Sequence, residues 1–210
     1  MFIDLHIHTY FSDGTQSPES VVDIAKSRGL SVISICDHNN VMAYERLFRA
    51  CRSAELNLIP GVEVDVHWKN EKLHLLAYNF DFSNKEMCDF LDKNMRECDL
   101  QQAMQVENME KDFPQITISD YRQYTQPLGR GGTKILNYLY DKGLSKNVMD
   151  SEKYKKRYST YQPKLSSLES ACKIICGANG IPVLAHPGVY WHEKINEMPT
   201  ILENLKLQVS

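Results

Sequence analysis

Residues 2–14 have the sequence FIDLHIHTYFSDG, and this stretch organises the rest of the chain. The loose alternation of apolar and polar residues over 2–8 predicts a short β-strand. Side chains two positions apart on a strand point to the same side, so His6 and His8 should face one space together. Two neighbouring imidazoles at a strand end can bind a divalent metal ion, and the carboxylate of Asp13 follows in the next turn. The stretch therefore predicts a metal site, although a buried histidine beside an exposed one would be the purely structural alternative.

The size and composition of the chain narrow the possible classes of protein. Its 210 residues fit one large domain, or one domain with an inserted segment. The formal net charge of −3 excludes a strongly basic nucleic-acid-binding protein. The six cysteines form no CxxC pair, which suits a reducing compartment, and the sequence shows neither a leader pattern nor an apolar run long enough to span a membrane. We therefore expect a cytoplasmic protein without a membrane partner.

Strand and helix patterns alternate along much of the chain. Beyond the first strand, apolar or β-branched runs predict strands at residues 32–36, 62–64, 73–78 and 181–185. A turn predicted at residues 69–71 makes 73–78 the returning strand of a hairpin. Capping residues and helical spacing predict helices over residues 17–29 and 41–55. This alternation is typical of an α/β fold with a parallel sheet, in which functional side chains gather at the carboxyl ends of the strands.

Seven residues, five histidines and two acidic residues, fall on or beside these predicted strands. They are His6, His8, Asp13, His38, Glu63, His74 and His186. Imidazole and carboxylate ligands together suit Zn, Mn or Fe, and a carboxylate such as Glu63 can bridge two ions. Two or three ions held close together would act as a clamp for phosphoryl displacement, because they activate a water molecule and neutralise charge on the phosphate. The predicted catalytic residues are His6, His8, Asp13, His38 and Glu63.

The sequence changes character between residues 84 and 163, where helical spacing replaces the alternation of strands and helices. A capping pattern that begins at Ser83 predicts the start of a long helix. We interpret this segment as a helical insertion that divides the fold into residues 1–83, 84–163 and 164–210. Lysines and tyrosines crowd the end of the insertion. They form either a solvated surface, the simpler explanation for most of them, or a basic, aromatic-lined rim for a phosphorylated or nucleotide-like substrate.

Five motifs, taken in order, resemble those of the PHP (polymerase and histidinol phosphatase) family. They are DLHIHT with SDG (4–14), CDH (36–38), GVE (61–63), HLLAY (74–78) and LAHPG (184–188). The segment between the last two motifs most resembles the subgroup that acts on nucleoside 3′,5′-bisphosphates and on the 5′ ends of short RNA. The resemblance implies a distorted, TIM-like (β/α)7 barrel with a helical insertion. It also implies an enzyme that hydrolyses phosphomonoesters with the help of two or three divalent metal ions.

The resemblance also implies roles for individual residues. Three ions would divide the ligands into three sets: His6, His8 and Glu63; Asp13 and His38; and Glu63, His74 and His186. Arg130 aligns with an arginine that helps to bind the substrate phosphate, although Gly131-Gly132 stands where the family usually has Pro-His.

The chain departs from the family pattern at its carboxyl end. The family continues with further strands and a late Asp-x-His motif that would complete the first two metal sites. Here residues 205–210 resemble the next strand and no Asp or His follows, so the chain is either a truncated version or a short natural variant. We therefore expect an incomplete barrel, reduced activity, and a third metal site that keeps its ion best. An open sheet edge would favour a homodimer.

Alternative functions stay open beside the favoured one. The absent Asp-x-His motif favours a metal-binding module that is catalytically weak and acts through interactions. Histidinol-phosphate phosphatase is a further possibility. An amidohydrolase-type enzyme also begins with HxH on a barrel strand, but we rank it lower because Asp13 follows the HxH pair so closely. The favoured interpretation is a metal-dependent phosphoesterase that acts on a phosphorylated small molecule or a short nucleic acid.

Overall fold

The structure is a computed structural model that describes residues 1–69, 71–191, 196–197, 199–201 and 203. Its strands are β1 (Phe2–Ile7), β2 (Leu30–Ile35), β3 (Asn57–Leu58), β4 (Gly61–Trp68), β5 (Glu71–Tyr78) and β6 (Ile181–Leu184). Its helices are α1 (Pro18–Ser27), α2 (Tyr44–Ala54), α3 (Lys85–Met109), α4 (Ile118–Gln123), α5 (Lys134–Asp141), α6 (Lys155–Tyr158), α7 (Leu168–Gly177) and α8 (Pro187–Trp191), with a 3₁₀ helix at Met149–Tyr154. The mixture confirms the predicted α/β class.

Two three-stranded sheets form the frame of the fold. In the first sheet the order is β1–β2–β3 and all strands are parallel. In the second the order is β4–β5–β6 and neighbouring strands are antiparallel. The predicted parallel sheet is therefore right for the first three strands, and the predicted hairpin of β4 and β5 is confirmed. A parallel sheet is wrong for β6, which runs antiparallel to β5. An isolated parallel bridge between His38 and Glu63 links the two sheets.

A buried tyrosine on α2 holds the two sheets together. The hydroxyl of Tyr44 donates a hydrogen bond of 2.6 Å to the carbonyl of Ile35, at the end of β2, and accepts one of 2.5 Å from the N–H of Gly61, at the start of β4. A Cβ atom at Gly61 would lie 2.3 Å from the Ser34 hydroxyl, so the absence of a side chain allows the strands to approach this closely. The carboxyl end of β2 therefore meets the beginning of β4.

Apolar side chains fill three large clusters within the described residues. One lies between the second sheet, α3 and α7, with Leu73 and Ile175 fully buried. Another lies between the first sheet, α1 and α2, around Ile33 and Leu47. The third, around Tyr138, belongs to the later part of α3 and to α4, α5 and α6. The later part of α3 and the helices that follow it up to residue 158 therefore share an apolar core of their own.

Polar side chains cap the first turns of several helices. Ser17 caps α1, as predicted, through a hydrogen bond from the N–H of Ser20, and Ser167 caps α7 in the same way. The predicted cap at Ser83 is wrong by one residue, because Asn84 accepts the hydrogen bond at the start of α3 while the Ser83 hydroxyl binds Asp81.

Three other expectations concern the surface and the carboxyl end. None of the helices in the described residues combines the length and the apolar character needed to cross a lipid bilayer. The strand expected over residues 205–210 lies outside the described residues. A homodimer through an open sheet edge stays a prediction.

The junction between the sheets can be tested with Tyr44→Phe, which keeps the ring and removes the hydroxyl. We expect the free energy of unfolding to fall by about 1–3 kcal/mol, because the Ile35 carbonyl and the Gly61 N–H would stay buried without a partner. Urea unfolding followed by circular dichroism measures the loss. The control is Tyr140→Phe, whose side chain is 38% exposed; an equal loss in both variants would contradict the proposed role of the Tyr44 hydroxyl.

Candidate metal centre

The carboxylate of Glu63 lies at the centre of the site. It projects from β4 and is only 1% exposed. Its Oε2 atom lies 3.0 Å from Nε2 of His6 and 3.1 Å from Nε2 of His8. Its Oε1 atom lies 2.7 Å from Nε2 of His186 and 3.0 Å from Nδ1 of His74. The two oxygens therefore face two different pairs of imidazoles.

Three strands, or the residues just beyond them, carry these four imidazoles. His6 lies on β1 and His8 just beyond it, and their ring centroids are 5.0 Å apart, as the two-residue period of a strand requires. His74 lies on β5, directly opposite Asp65 in the hairpin register. His186 follows β6 with a φ of 29°, a left-handed value that residues with a side chain seldom adopt. Its surroundings must therefore hold His186 in this conformation.

A second group of donors lies beside the first, on the turn after β1 and the loop after β2. Oδ1 of Asp13 lies 3.2 Å from Nδ1 of His8, and Oδ2 lies 3.7 Å from Nε2 of His38. The same His38 nitrogen lies 3.6 Å from Oε2 of Glu63. The structure thus brings all seven ligands predicted from the sequence into one continuous cluster.

The cluster contains four groups of three residues whose donor atoms lie within 4.8 Å of one another. They are His6, His8 and Glu63; His8, Asp13 and His38; His38, Asp65 and His74; and Glu63, His74 and His186. Two ligand atoms that each lie 2.0–2.2 Å from one ion are themselves roughly 3.0–3.5 Å apart, which is close to the spacings around Glu63. Imidazole nitrogens suit ions such as Zn and Fe, and carboxylate oxygens suit ions such as Mn. The residues present therefore fit a cluster of divalent ions.

The histidines keep the acidic donors ionised. Burial alone would raise the pKa of Glu63, but hydrogen bonds with His6, His74 and His8 outweigh it and hold the pKa far below its usual range. Burial also opposes the shift at Asp13, where the contact with His38 nevertheless lowers the pKa to about 2. Both carboxylates are therefore available as oxygen ligands at neutral pH.

Asp65 is a member of the cluster that sequence reasoning missed. It is 2% exposed, and its Oδ1 lies 3.2 Å from Nε2 of His74. Its Oδ2 lies 2.9 Å from the Lys72 ammonium and accepts a hydrogen bond of 2.9 Å from Asn39. The predicted strand ended at residue 64; one more residue would have placed Asp65 on the same face as Glu63. A metal-bound histidine usually donates its other ring N–H to a carboxylate, so Asp65 is suited to orient His74.

Asp37 fixes the turn that carries Asp13. One of its oxygens accepts hydrogen bonds from the Thr9 N–H (2.7 Å) and the Ser12 hydroxyl (2.6 Å). The other accepts one of 2.6 Å from the Thr9 hydroxyl. Sequence reasoning placed Asp37 at a strand end beside His38 but gave it no role.

Arg130, predicted to bind substrate, is engaged elsewhere. Its Nη1 lies 2.6 Å from Oδ1 of Asp141, and its guanidinium stands 5.5 Å from the centre of the Tyr140 ring. Its loop nevertheless touches the Asp13 turn, since the N–H of Gly132 donates a hydrogen bond of 3.0 Å to the Asp13 carbonyl. The structure therefore places the Arg130 backbone beside the cluster while the charged group pairs with Asp141.

A cavity of about 390 Å³ opens next to the donor cluster. Asp13, His38 and His74 line one side of it. Residues of α3 and of the start of α5, including Gln102 and Lys134, line another part. A ligand in this cavity would contact the candidate metal ligands and the helices of residues 85–158 together.

Known proteins resemble this chain in sequence and in structure. The sequence model described as the PHP domain matches residues 4–156. The 5′-3′ exoribonuclease Rnm of Escherichia coli (strain K12) is 31% identical over 198 residues, which cover 89% of this chain and 66% of the relative. The 3′,5′-nucleoside bisphosphate phosphatase of Chromobacterium violaceum is 30% identical over 195 residues, which cover 90% of this chain and 67% of the relative. The chain spans about two thirds of the length of these curated relatives.

Solved structures show the same fold. A protein from Bifidobacterium adolescentis, assigned as a metal-dependent phosphoesterase, superposes with a TM-score of 0.77 at 26% sequence identity. The match covers 89% of this chain and 67% of that one.

The central role of Glu63 predicts the behaviour of Glu63→Gln, which keeps the shape of the side chain and removes its charge. We expect metal affinity to fall by at least about 10-fold, because both oxygens face candidate metal-binding imidazoles. Metal content after dialysis against limiting Mn²⁺ or Zn²⁺, measured by mass spectrometry, tests this. Glu107→Gln changes an exposed carboxylate and should retain the metal; equal metal content in the two variants would remove Glu63 from the centre.

The contact between Asp65 and His74 predicts a pH effect in the metal-free protein. Burial would lower the pKa of His74, but Asp65 and Glu63 together raise it from 6.5 to about 9. Asp65→Asn should therefore lower the His74 pKa, which an NMR titration of the ring can measure. The raised pKa stabilises the folded state fully below pH 6.5, and this stabilisation is lost as the pH rises through about 9. The advantage of wild type over Asp65→Asn in unfolding free energy should shrink across that interval.

The control for this titration is Asp89→Asn, which alters an exposed carboxylate paired with Lys85. It should leave the His74 pKa unchanged. A His74 pKa that is the same in wild type and in Asp65→Asn would show that the two side chains do not interact in solution.

Proposed function

We propose a function for this chain, which belongs to the PHP domain family. We infer that it is a metal-dependent phosphoric ester hydrolase that removes phosphate from a nucleotide or a short oligonucleotide, such as a nucleoside 3′,5′-bisphosphate. One observation carries the proposal, namely the convergence of five imidazoles on the buried carboxylate of Glu63. The names of the two relatives, one an exoribonuclease and one a nucleoside bisphosphate phosphatase, support this class of substrate.

In this proposal two or three divalent ions, of Mn, Zn or Fe, occupy the donor cluster. The ligands are His6, His8 and Glu63; Asp13 and His38; and Glu63, His74 and His186. Glu63 would bridge two ions, since each of its oxygens faces its own pair of imidazoles. Bound ions would supply activation of a water molecule and neutralisation of charge on the phosphate.

The chain's own residues would position the substrate. Asp13 and His38 line the cavity, so the reacting phosphate would lie on that side of the cluster. The three hydrogen bonds to Asp37 would keep the Asp13 turn rigid, and rigid support of this kind lowers the cost of reaching the reactive geometry. Arg130 remains a proposed substrate-binding residue, and contact with a phosphate would require it to exchange its ion pair with Asp141.

The proposal includes the arrangement of the fold expected from the sequence. A distorted, TIM-like (β/α)7 barrel would comprise residues 1–83 and 164–210, and residues 84–163 would be the helical insertion. The separate apolar core of the helices around Tyr138 supports the insertion. The bridge between His38 and Glu63 is the kind of strand-to-strand contact that a barrel requires.

Hydrolysis assays test the proposed function. With Mn²⁺ present, the protein should release inorganic phosphate from adenosine 3′,5′-bisphosphate. Chelation by EDTA, or Glu63→Gln, should lower the rate by at least about 100-fold, because metal ions contribute several kcal/mol to stabilising the transition state. Re-addition of Mn²⁺ and the variant Glu107→Gln serve as controls. Full metal binding without turnover of any phosphomonoester would instead favour a metal-binding module that acts through interactions.

A further inference from the structure

The cavity beside the candidate metal centre offers more space than one phosphate group needs. Its volume of about 390 Å³ falls in the range of roughly 300–1,000 Å³ that is usual for small-molecule ligands. A substrate whose reacting phosphate lies at Asp13 and His38 would therefore extend towards α3 and the start of α5. A nucleoside bisphosphate would carry a second phosphate into that part of the cavity.

Three lysines line the cavity: Lys72, Lys134 and Lys155. Lys72 lies 2.9 Å from Oδ2 of the buried Asp65 and is therefore committed to that carboxylate. Lys155 also has a partner within the protein. Lys134 differs from both. Its ammonium stands 4.8 Å from the centre of the Tyr121 ring, and it forms no ion pair with a carboxylate of the described residues. It is the cation in the cavity that can most readily accept a new anion.

We propose that Lys134 binds the phosphate group of the substrate that is not hydrolysed, at the end of the cavity formed by α3 and α5. This inference rests on the proposed function and adds a residue that determines specificity for doubly phosphorylated substrates. Lys134 is the first residue of α5, so its side chain enters the cavity from the helix that bounds it. Arg130, by contrast, pairs with Asp141 and does not line the described cavity.

Asp99, on α3, lines the same cavity, and its carboxylate interacts with the charge of Lys134. Burial raises the pKa of Asp99, and the charge of Lys134 opposes that rise. A phosphate near Lys134 would be repelled by an ionised Asp99. Removing the Asp99 charge should therefore strengthen binding of a doubly phosphorylated substrate, whereas removing the Lys134 charge should weaken it.

The test compares two substrates in steady-state hydrolysis with Mn²⁺: adenosine 3′,5′-bisphosphate and p-nitrophenyl phosphate, which has one phosphate group. Lys134→Met keeps the apolar stem of the side chain against Tyr121 and removes only the charge. We expect it to raise KM for the bisphosphate by about 10- to 100-fold, the effect of losing one hydrogen bond to a charged group, with little change in kcat. Its kcat/KM for p-nitrophenyl phosphate should stay at the wild-type value.

Three further variants complete the comparison. Lys134→Arg keeps the charge and should restore most of the affinity for the bisphosphate. Asp99→Asn should lower KM for the bisphosphate. Lys146→Met removes an exposed lysine outside the cavity lining and should change neither substrate. Equal effects of Lys134→Met on both substrates, or no effect on either, would overturn the inference.

Failure of the proposed function would give a different result. If wild type hydrolyses neither substrate, the proposed activity is wrong. The role of Lys134 is then tested by isothermal titration calorimetry, which measures equilibrium binding of the bisphosphate to the EDTA-treated protein. Weaker binding by Lys134→Met than by wild type would support the inference. Equal binding, or no binding by wild type, would overturn it.

Discussion

The structure depends on a buried negative charge. Moving a carboxylate such as Glu63 out of water is costly unless the protein supplies partners for it. Five imidazoles surround this carboxylate, and they come from β1, from the loop after β2, from β5 and from the residue after β6. Segments that are far apart in the sequence must therefore converge here for the fold to tolerate Glu63. The same convergence creates the donor cluster, so stability and function place the same demand on these residues.

The junction of the two sheets makes this convergence possible. The first sheet presents His6, His8 and His38, whereas the second presents Glu63 and His74. Tyr44 joins β2 to β4 through two buried hydrogen bonds, and the His38–Glu63 bridge continues the contact at the site itself. A small shift between the sheets would separate the histidines of one sheet from the carboxylate of the other.

Much of this arrangement follows from local sequence rules, and the rest depends on contacts between distant segments. The period of a strand is enough to pair His6 with His8, and the turn predicted at residues 69–71 is enough to predict the hairpin of β4 and β5. The antiparallel pairing of β6 was missed because an isolated apolar run carries no sign of its neighbour's direction. Asp65 was missed because the strand was predicted too short. The ion pair of Arg130 with Asp141 joins a loop to a helix end, and no local pattern predicts which partner a surface arginine will choose.

The two nitrogens of each imidazole ring distinguish the two donor groups that contain Glu63 from the two that do not. A neutral histidine offers one nitrogen to a metal ion and needs an acceptor for the N–H of the other. If His74 binds an ion through Nδ1 beside Glu63, its Nε2–H can donate to Asp65, and the group of His38, Asp65 and His74 loses one donor. If His8 binds through Nε2, its Nδ1–H faces Asp13, and the second group keeps only Asp13 and His38. Hydrogen bonding therefore leaves each of these two groups with two donors, whereas the two groups that contain Glu63 keep all three. In this arrangement Asp65 and Asp13 each fix the orientation of a ring whose other nitrogen points to Glu63.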